Sequence, residues 1–213
     1  MSLVTLVSGG IDSTVMALLA KEEGVEQYPL FIDYGQLSRR REWEACRRLH
    51  ARHGLPRPKR MALAGFGGLI SSGLTRPHAR VNEDAFLPGR NLLFLLAGAA
   101  YAREVGAGAV AIGLLDERYR VFPDQTTSFL AAAEQALVAA LGDRVRVIAP
   151  LMGFSKSDTI RLARAMGVEG TYSCHAGQSD PCGTCISCRE TAGALRKGGS
   201  HGRRGRKPDA EAR

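Results

Sequence analysis

Short apolar runs alternate with amphipathic stretches along most of the 213-residue chain. Leu3-Val4-Thr5-Leu6-Val7 runs into Ser8-Gly9-Gly10 and reads as a buried strand. Tyr28-Pro29-Leu30-Phe31-Ile32 reads as a second strand, and further strands are predicted over 60–63, 109–112 and 145–148. Helical spacing lies between them: helices are predicted over 13–21, 38–53, 92–104, 126–141 and 155–166. Trp43, Cys46 and Leu49 form an apolar face of the second helix, with Cys46 a plain core residue. Ser155 and Asp158 have the spacing of a capping box at the start of the last helix. Residues 54–87 show no clear period, and a loop region is expected after 63. Strands alternating with helices of this length predict an α/β fold: a doubly wound, mostly parallel sheet covered on both faces. In such sheets, ligands bind beyond the carboxyl ends of the strands.

Composition adds exclusions. Hydrophobic residues make up 45% and charged residues 23%, which rules out a disordered, collagen-like or coiled-coil chain. The longest apolar run, 92–102, is about half of what a bilayer span needs. No basic flank precedes the first strand, so no signal peptide is read there and a cytoplasmic location is expected. The formal charge is +8, but residues 196–213 hold seven basic and two acidic residues and supply +5 of it. Its stretch Gly-Ser-His-Gly-Arg-Arg-Gly-Arg-Lys offers nothing apolar to bury, and the segment is expected to be a disordered, solubilising basic tail. A nucleic-acid partner is therefore not expected.

Two clusters carry chemistry. Ser8-Gly9-Gly10-Ile11-Asp12-Ser13 joins the first strand to the first helix. Its glycines let the backbone approach an anion, and the helix start offers unpaired N–H groups and a favourable dipole. It lacks both the Walker Gly-Lys-Ser/Thr and the G-x-G-x-x-G pattern. Near the other end, Cys174, Cys182, Cys185 and Cys188 fall within 15 positions. Four thiolates at C-x2-C spacing suit a closed, tetrahedral, structural zinc site. His175 is read as exposed or as a neighbour of that site rather than a ligand.

The six-residue loop matches the S-G-G-x-D-S pyrophosphate loop of the ATP-pyrophosphatase superfamily. Other segments resemble one of its families, the 7-cyano-7-deazaguanine synthases. Phe31-Ile32-Asp33-Tyr34-Gly35-Gln36 resembles that family's F-D-Y-G-Q, and Pro88-Gly89-Arg90-Asn91-Leu92-Leu93-Phe94 its P-G-R-N-L-x-F. Pro150-Leu151 followed by Ser155-Lys156 resembles its P-L-x-x-x-S-K, and the cysteines match its zinc site, which follows T-x-S/T-C. The matches run in order from Ser8 to Cys188.

The resemblance implies an adenine nucleotide alpha hydrolase-like, Rossmann-like ATP-binding domain over 1–170 and a small zinc-binding segment over 171–195. It implies an ATP-dependent carbon–nitrogen ligase of queuosine biosynthesis. Such an enzyme adenylates 7-carboxy-7-deazaguanine and, with ammonia, carries it through the amide to 7-cyano-7-deazaguanine. The expected cofactors are ATP, Mg2+ and one structural Zn2+ per chain. The partners are the deazapurine substrate and ammonia, with no membrane, and a homodimer is compatible. Ser8, Gly9, Gly10, Ile11, Asp12, Ser13 and Gly113 are expected to bind ATP. Asp12, Lys156 and Asp124 are expected to be catalytic. Gln36, Arg90, Asn91 and Asp116 are expected at the substrate; Gln36 could read a purine-like edge, and Arg90 could pair an oxyanion. Asn91 could instead cap its helix. Lys156, in the first turn of a helix, opposes the dipole unless an anionic ligand sits beside it.

One segment departs from the family. Where the family reads Y-P-D-C-R-x-x-F, this chain has Phe122-Pro123-Asp124-Gln125-Thr126-Thr127-Ser128-Phe129, so the cysteine and arginine are replaced. The lost cation motivates an alternative: a relative that stops at the amide or joins the activated deazaguanine to another amine. Arg118 or Arg120 could replace that cation. A tRNA thiolase would need a persulfide cysteine or an iron–sulfur site, and a non-catalytic nucleotide-binding module would not need Arg90, Asn91 and Lys156 together.

Overall fold

A computed structural model describes residues 2–76 and 85–199, with only the backbone considered for 197–199. Five strands form one sheet: β1 (Ser2–Leu6), β2 (Glu26–Asp33), β3 (Lys59–Ala62), β4 (Ala109–Ala111) and β5 (Arg146–Ile148). Their order is β3-β2-β1-β4-β5 and every pairing is parallel. The order reverses between β1 and β4, which places the topological switch at the end of β1, where Ser8 begins the loop.

The period-2 alternation of the strands sorts the helices. Val4, Leu6, Leu30, Ile32 and Val110 point to one face, where α4 (Arg90–Val105) and α5 (Thr127–Leu141) add Leu95, Ala99, Ala133 and Leu137. Leu3, Ala109 and Ala111 point to the other, against Val15 and Met16 of α1 (Ile11–Glu22) and Ala163 of α6 (Lys156–Ala165). Phe31 points to that second side as well, onto Trp43 and Cys46 of α2 (Arg39–Arg52). Cys46 is fully buried and burial pushes its thiol up to about 12, as fits a core residue.

Three departures from the periodicity reading stand out. Residues 64–69, expected as loop, form a short helix α3 (Ala64–Leu69) that Gly67 fastens by donating its N–H to the Tyr34 carbonyl at 3.1 Å. Three glycines within it, Gly65, Gly67 and Gly68, dilute the apolar spacing. A seventh helix, α7 (Ile186–Gly199), follows the cysteines and packs on α6. Its first turns carry ligand-type and polar residues, so its period is masked in the sequence. Because α7 continues to Gly199, residues 196–199 are helix rather than the start of a tail; the rest of the expected tail, 200–213, lies outside the described residues. The Ser155–Asp158 capping box forms with both reciprocal bonds. Among the described residues, no helix is long and apolar enough to cross a membrane.

Helix α4 meets the sheet at a glycine. A Cβ on Gly98 would lie 2.6 Å from Val110 Cγ2 and 3.1 Å from Leu6 Cδ2. Gly98→Val should therefore overpack this contact by about 1–3 kcal/mol. Thermal unfolding should show a fall in Tm of roughly 3–10 °C; an unchanged Tm would mean that α4 does not press on the sheet there.

Candidate active site

The loop after β1 opens α1 with no side-chain cap: Gly10 is the N-cap residue and the first N–H groups stay free for a ligand. Internal bonds shape it. Ser8 N donates to Ser13 Oγ at 3.1 Å, Gly10 N donates to Ser8 Oγ at 3.2 Å, and Thr14 Oγ1 donates to the Gly10 carbonyl at 2.8 Å. Gly9 has φ +78°, and a Cβ there would lie 2.5 Å from the Glu42 carbonyl and 2.6 Å from Cys46 N. Only glycine fits between the loop and α2. Gly113, at the end of β4, would place a Cβ 3.3 Å from Ser13 N, so its role is close approach.

A cleft with two lobes opens at the strand ends. The smaller, about 280 Å³, is lined by Ser8, Gly10, Ile11, Asp12 and Ser13 together with Phe31, Tyr34, Glu42, Arg90, Phe94 and His175. The larger, about 710 Å³, includes Asp116, Tyr119, Arg120, Ser155 and Arg161. Asp12, Gly113, Lys156 and Glu190 line both, so the lobes meet at the loop. At that junction Lys156 Nζ donates to Asp12 Oδ1 at 2.9 Å and Oδ2 at 2.8 Å. The pair joins the first turns of α1 and α6, whose dipoles favour Asp12 and oppose Lys156.

The structure brings most of the expected residues to the cleft and reassigns others. Arg90 lies over the faces of Tyr34 and Phe94, with its guanidinium carbon 5.9 Å from each ring centre, and its Nε is buried with no partner. Gln36 borders the smaller lobe, but its amide is engaged by the protein: Oε1 accepts from Tyr34 N at 3.0 Å, and Nε2 donates to Glu42 Oε2 at 2.9 Å. It positions Glu42 rather than reading a ring edge itself. Asn91 does not cap α4, whose N-cap is the left-handed Gly89; its Nδ2 donates to the Asp124 carbonyl at 3.0 Å. Asp124 lines neither lobe, so the geometry does not support a catalytic side chain there. Asp116 faces the larger lobe and is paired with Arg118 through Nε and the guanidinium terminus, which holds its carboxyl below the usual range.

The two divergent positions fasten local structure, and Gln125 also lines both lobes of the cleft. Gln125 Oε1 accepts from Val121 N at 2.8 Å and Phe122 N at 2.9 Å, closing the turn. Thr126 caps α5, its Oγ1 accepting from Phe129 N at 3.1 Å. Arg120 and Arg161 border the larger lobe, Arg161 being ion-paired with Asp158.

Sequence reasoning missed Glu42, Glu190 and the placement of His175. His175 faces the smaller lobe, where burial, reinforced by Arg90 and Lys156, pushes it down to about 4 and keeps the imidazole neutral at pH 7. Glu190 comes from α7, and its carboxyl is raised by burial while Lys156 opposes the shift. Only contacts between distant segments place these groups.

The four cysteines form one cluster, with all Sγ atoms within 4.8 Å of one another, and could hold a metal ion. Burial opposes ionisation of Cys182, yet donation from Thr184 Oγ1 and from the N–H groups of Thr184 and Cys185 brings its thiol down to about 6. The segment is sewn to the loop. Tyr172 N donates to the Gly9 carbonyl at 2.9 Å, and Arg41 Nε donates to the Gly177 carbonyl at 3.2 Å. Tyr172, Ser173, His175, Ile186, Ser187 and Glu190 thus wall the smaller lobe.

An uncapped S-G-G-x-D-S helix start at the switch point of a parallel sheet defines an ATP-pyrophosphatase type of domain. Solved structures support that fold. The U34-tRNA thiolase NcsA of Methanococcus maripaludis aligns with a TM-score of 0.51 at 16% identity, over 95% of this chain and 68% of its own. NMN synthetase of Francisella tularensis aligns with a TM-score of 0.51 at 12% identity, over 98% and 88%. Residues 2–199 match the family described as Queuosine biosynthesis protein QueC, and the chain belongs to that family. Curated relatives include a 7-cyano-7-deazaguanine synthase of Methanothermobacter thermautotrophicus, 35% identical over 88% of this chain and 91% of the relative. Another, from Desulfitobacterium hafniense, is 34% identical over 87% and 84%.

The crowding at Gly9 gives a direct test. Gly9→Ala should lower Tm and weaken ATP binding at least about tenfold, because its Cβ meets backbone. Gly10→Ala, whose Cβ would meet nothing nearer than Ser8 Oγ at 3.2 Å, should be much milder. Equal effects of the two substitutions in calorimetric titration with ATP would contradict this account of the loop.

Proposed function

We propose that this chain is an ATP-dependent carbon–nitrogen ligase that converts 7-carboxy-7-deazaguanine to 7-cyano-7-deazaguanine through the amide. The observation that carries the reading is the Lys156–Asp12 pair at the loop, where the two lobes meet, in a chain of this family. In the first step a substrate carboxylate oxygen attacks the α-phosphorus of ATP and pyrophosphate leaves. Ammonia then displaces AMP from the acyl adenylate, giving the amide and a proton. The amide oxygen then attacks the α-phosphorus of a second ATP, pyrophosphate again leaves, and loss of AMP and a proton gives the nitrile.

The residues divide that work. The N–H groups of Ile11, Asp12 and Ser13 and the hydroxyls of Ser8 and Ser13 hold the departing pyrophosphate. Lys156 neutralises its developing charge, and Asp12 would be the loop carboxylate that holds the Mg2+ accompanying ATP. Arg90, with its buried unpaired Nε, supplies a fork for an oxyanion, and Arg120 and Arg161 line the larger lobe with positive charge. Walls from the cysteine segment keep water from the adenylate.

Zinc is the metal that suits the four thiolates. Tetrahedral Zn–S bonds of about 2.3 Å put sulfurs about 3.8 Å apart, compatible with the observed cluster. With four protein ligands, the ion leaves no position for water and acts as a staple. Thiolates kept reduced fit a cytoplasmic location. The product that stops at the amide, or a conjugate, is not favoured: Gln125 and Thr126 serve the turn and the helix cap, and the curated relatives cited above are synthases of the nitrile.

Incubation with ATP, ammonia and 7-carboxy-7-deazaguanine should yield nitrile, with amide only transient, by mass analysis. Amide as the final product would overturn the second half of the reading. Asp12→Ala should cut substrate-dependent exchange of labelled pyrophosphate into ATP by at least about a hundredfold with Tm nearly unchanged. Metal analysis should return one zinc per chain. Its removal by a chelator should abolish binding to the smaller lobe as well as lower Tm, since the stapled segment forms one wall; a zinc-free chain of full activity would refute the staple.

A further inference from the structure

Glu42 faces the smaller lobe beside Tyr34, Arg90 and Phe94, and the reaction scheme above gives it no task. Its carboxylate is locked in place. Ser38 Oγ donates to Oε1 at 2.7 Å and Gln36 Nε2 donates to Oε2 at 2.9 Å, while Gln36 is itself pinned by Tyr34 N. An ionised carboxylate offers about four acceptor sites, and one on each oxygen is filled. Among the described residues, no lysine or arginine forms an ion pair with it. Burial works against its charge. Glu42 is half-buried, and an oriented carboxylate with open acceptor capacity beside apolar walls is costly unless a ligand brings donors to it.

We propose that Glu42 is the acceptor that reads the amino-bearing edge of the purine-type ring seated in the smaller lobe. This rests on the ATP and deazaguanine reading of the preceding subsection. Both rings carry such an edge. Adenine offers one exocyclic amine beside a ring nitrogen that accepts. Deazaguanine offers a ring N–H and an exocyclic amine side by side, which match both carboxylate oxygens at once. Phe31, Tyr34 and Phe94 give a flat ring apolar walls. A ring lacking the amine leaves the carboxylate unpaired, which is the strong form of discrimination.

The test is a ligand cycle by calorimetric titration of the full chain and its Glu42→Gln variant. One pair of ligands is 7-carboxy-7-deazaguanine and its counterpart without the 2-amino group. The other is ATP and purine riboside triphosphate, which lacks the 6-amino group. In the wild type, deleting the amine from the ring that Glu42 reads should weaken binding about tenfold to a hundredfold, as for a hydrogen bond to a charged group. In Glu42→Gln the same deletion should change affinity less than about threefold. Comparing ratios within one protein cancels general damage to the site. Loss of discrimination in the first pair alone assigns Glu42 to deazaguanine, and in the second alone to adenine. Equal discrimination by both proteins in both pairs overturns the proposal, as does equal loss in both pairs. Should Glu42→Gln not fold, Glu42→Asp keeps the charge, withdraws it from the ring and serves the same cycle. A wild type that neither binds nor activates 7-carboxy-7-deazaguanine sinks the proposed function, while the ATP pair still tests Glu42.

Discussion

The rest of the molecule is arranged around the Gly9 peptide. Its missing Cβ lets the loop lie against the backbone of α2, and its carbonyl accepts the N–H of Tyr172 from the cysteine segment. Three parts of the chain distant in sequence therefore converge on one glycine. Any side chain there would push α2, the loop or the strap apart, and with them the uncapped start of α1. An anion site made from backbone N–H groups has no flexible side chain to absorb such a shift. The packing of this one residue and the electrostatics of the cleft are the same constraint.

Charge in the cleft is balanced by placement. Lys156 opposes the dipole of α6 and answers the Asp12 carboxylate at the start of α1. Arg90 stacks over Tyr34 and Phe94 with one donor left free, while His175 is held neutral by burial and by the cations near it. A doubly protonated imidazole would add a third positive centre beside them. Glu42, fixed by Gln36 and Ser38, is the counterweight on the apolar side of the lobe. The cleft thus presents an anion-binding end at the loop and an acceptor at the ring end, the two demands that a nucleotide or a carboxylated purine makes together.

The cysteine cluster stands far from the loop in sequence and forms a wall of the cleft in space. The segment has little apolar surface of its own, so bonds to Gly9 and α2 stand in for a core, and a metal held by the four cysteines would add a staple. Through α7 the same segment delivers Ser187 and Glu190 to the site. A metal bound there would support chemistry by holding that wall in register with the loop.

Local signals were enough for a large part of this. Short apolar runs, glycine stops and the Ser155–Asp158 capping box marked the parallel sheet and five of the seven α-helices among the described residues, because those features act within a few residues. The S-G-G-x-D-S loop and the cysteine spacing were legible for the same reason: a helix-start anion site and a metal shell each need fixed residues at fixed short offsets. Helices α3 and α7 were not legible, since glycines and ligand-type residues blur their apolar period. The contacts of Gln36, Asn91, Asp124 and Glu42 were decided only by tertiary structure. A glutamine or asparagine has the same donors whether it meets a ligand or a neighbouring backbone. Which one it meets depends on what the fold brings within 3 Å, and that is set by packing between segments the sequence does not place side by side.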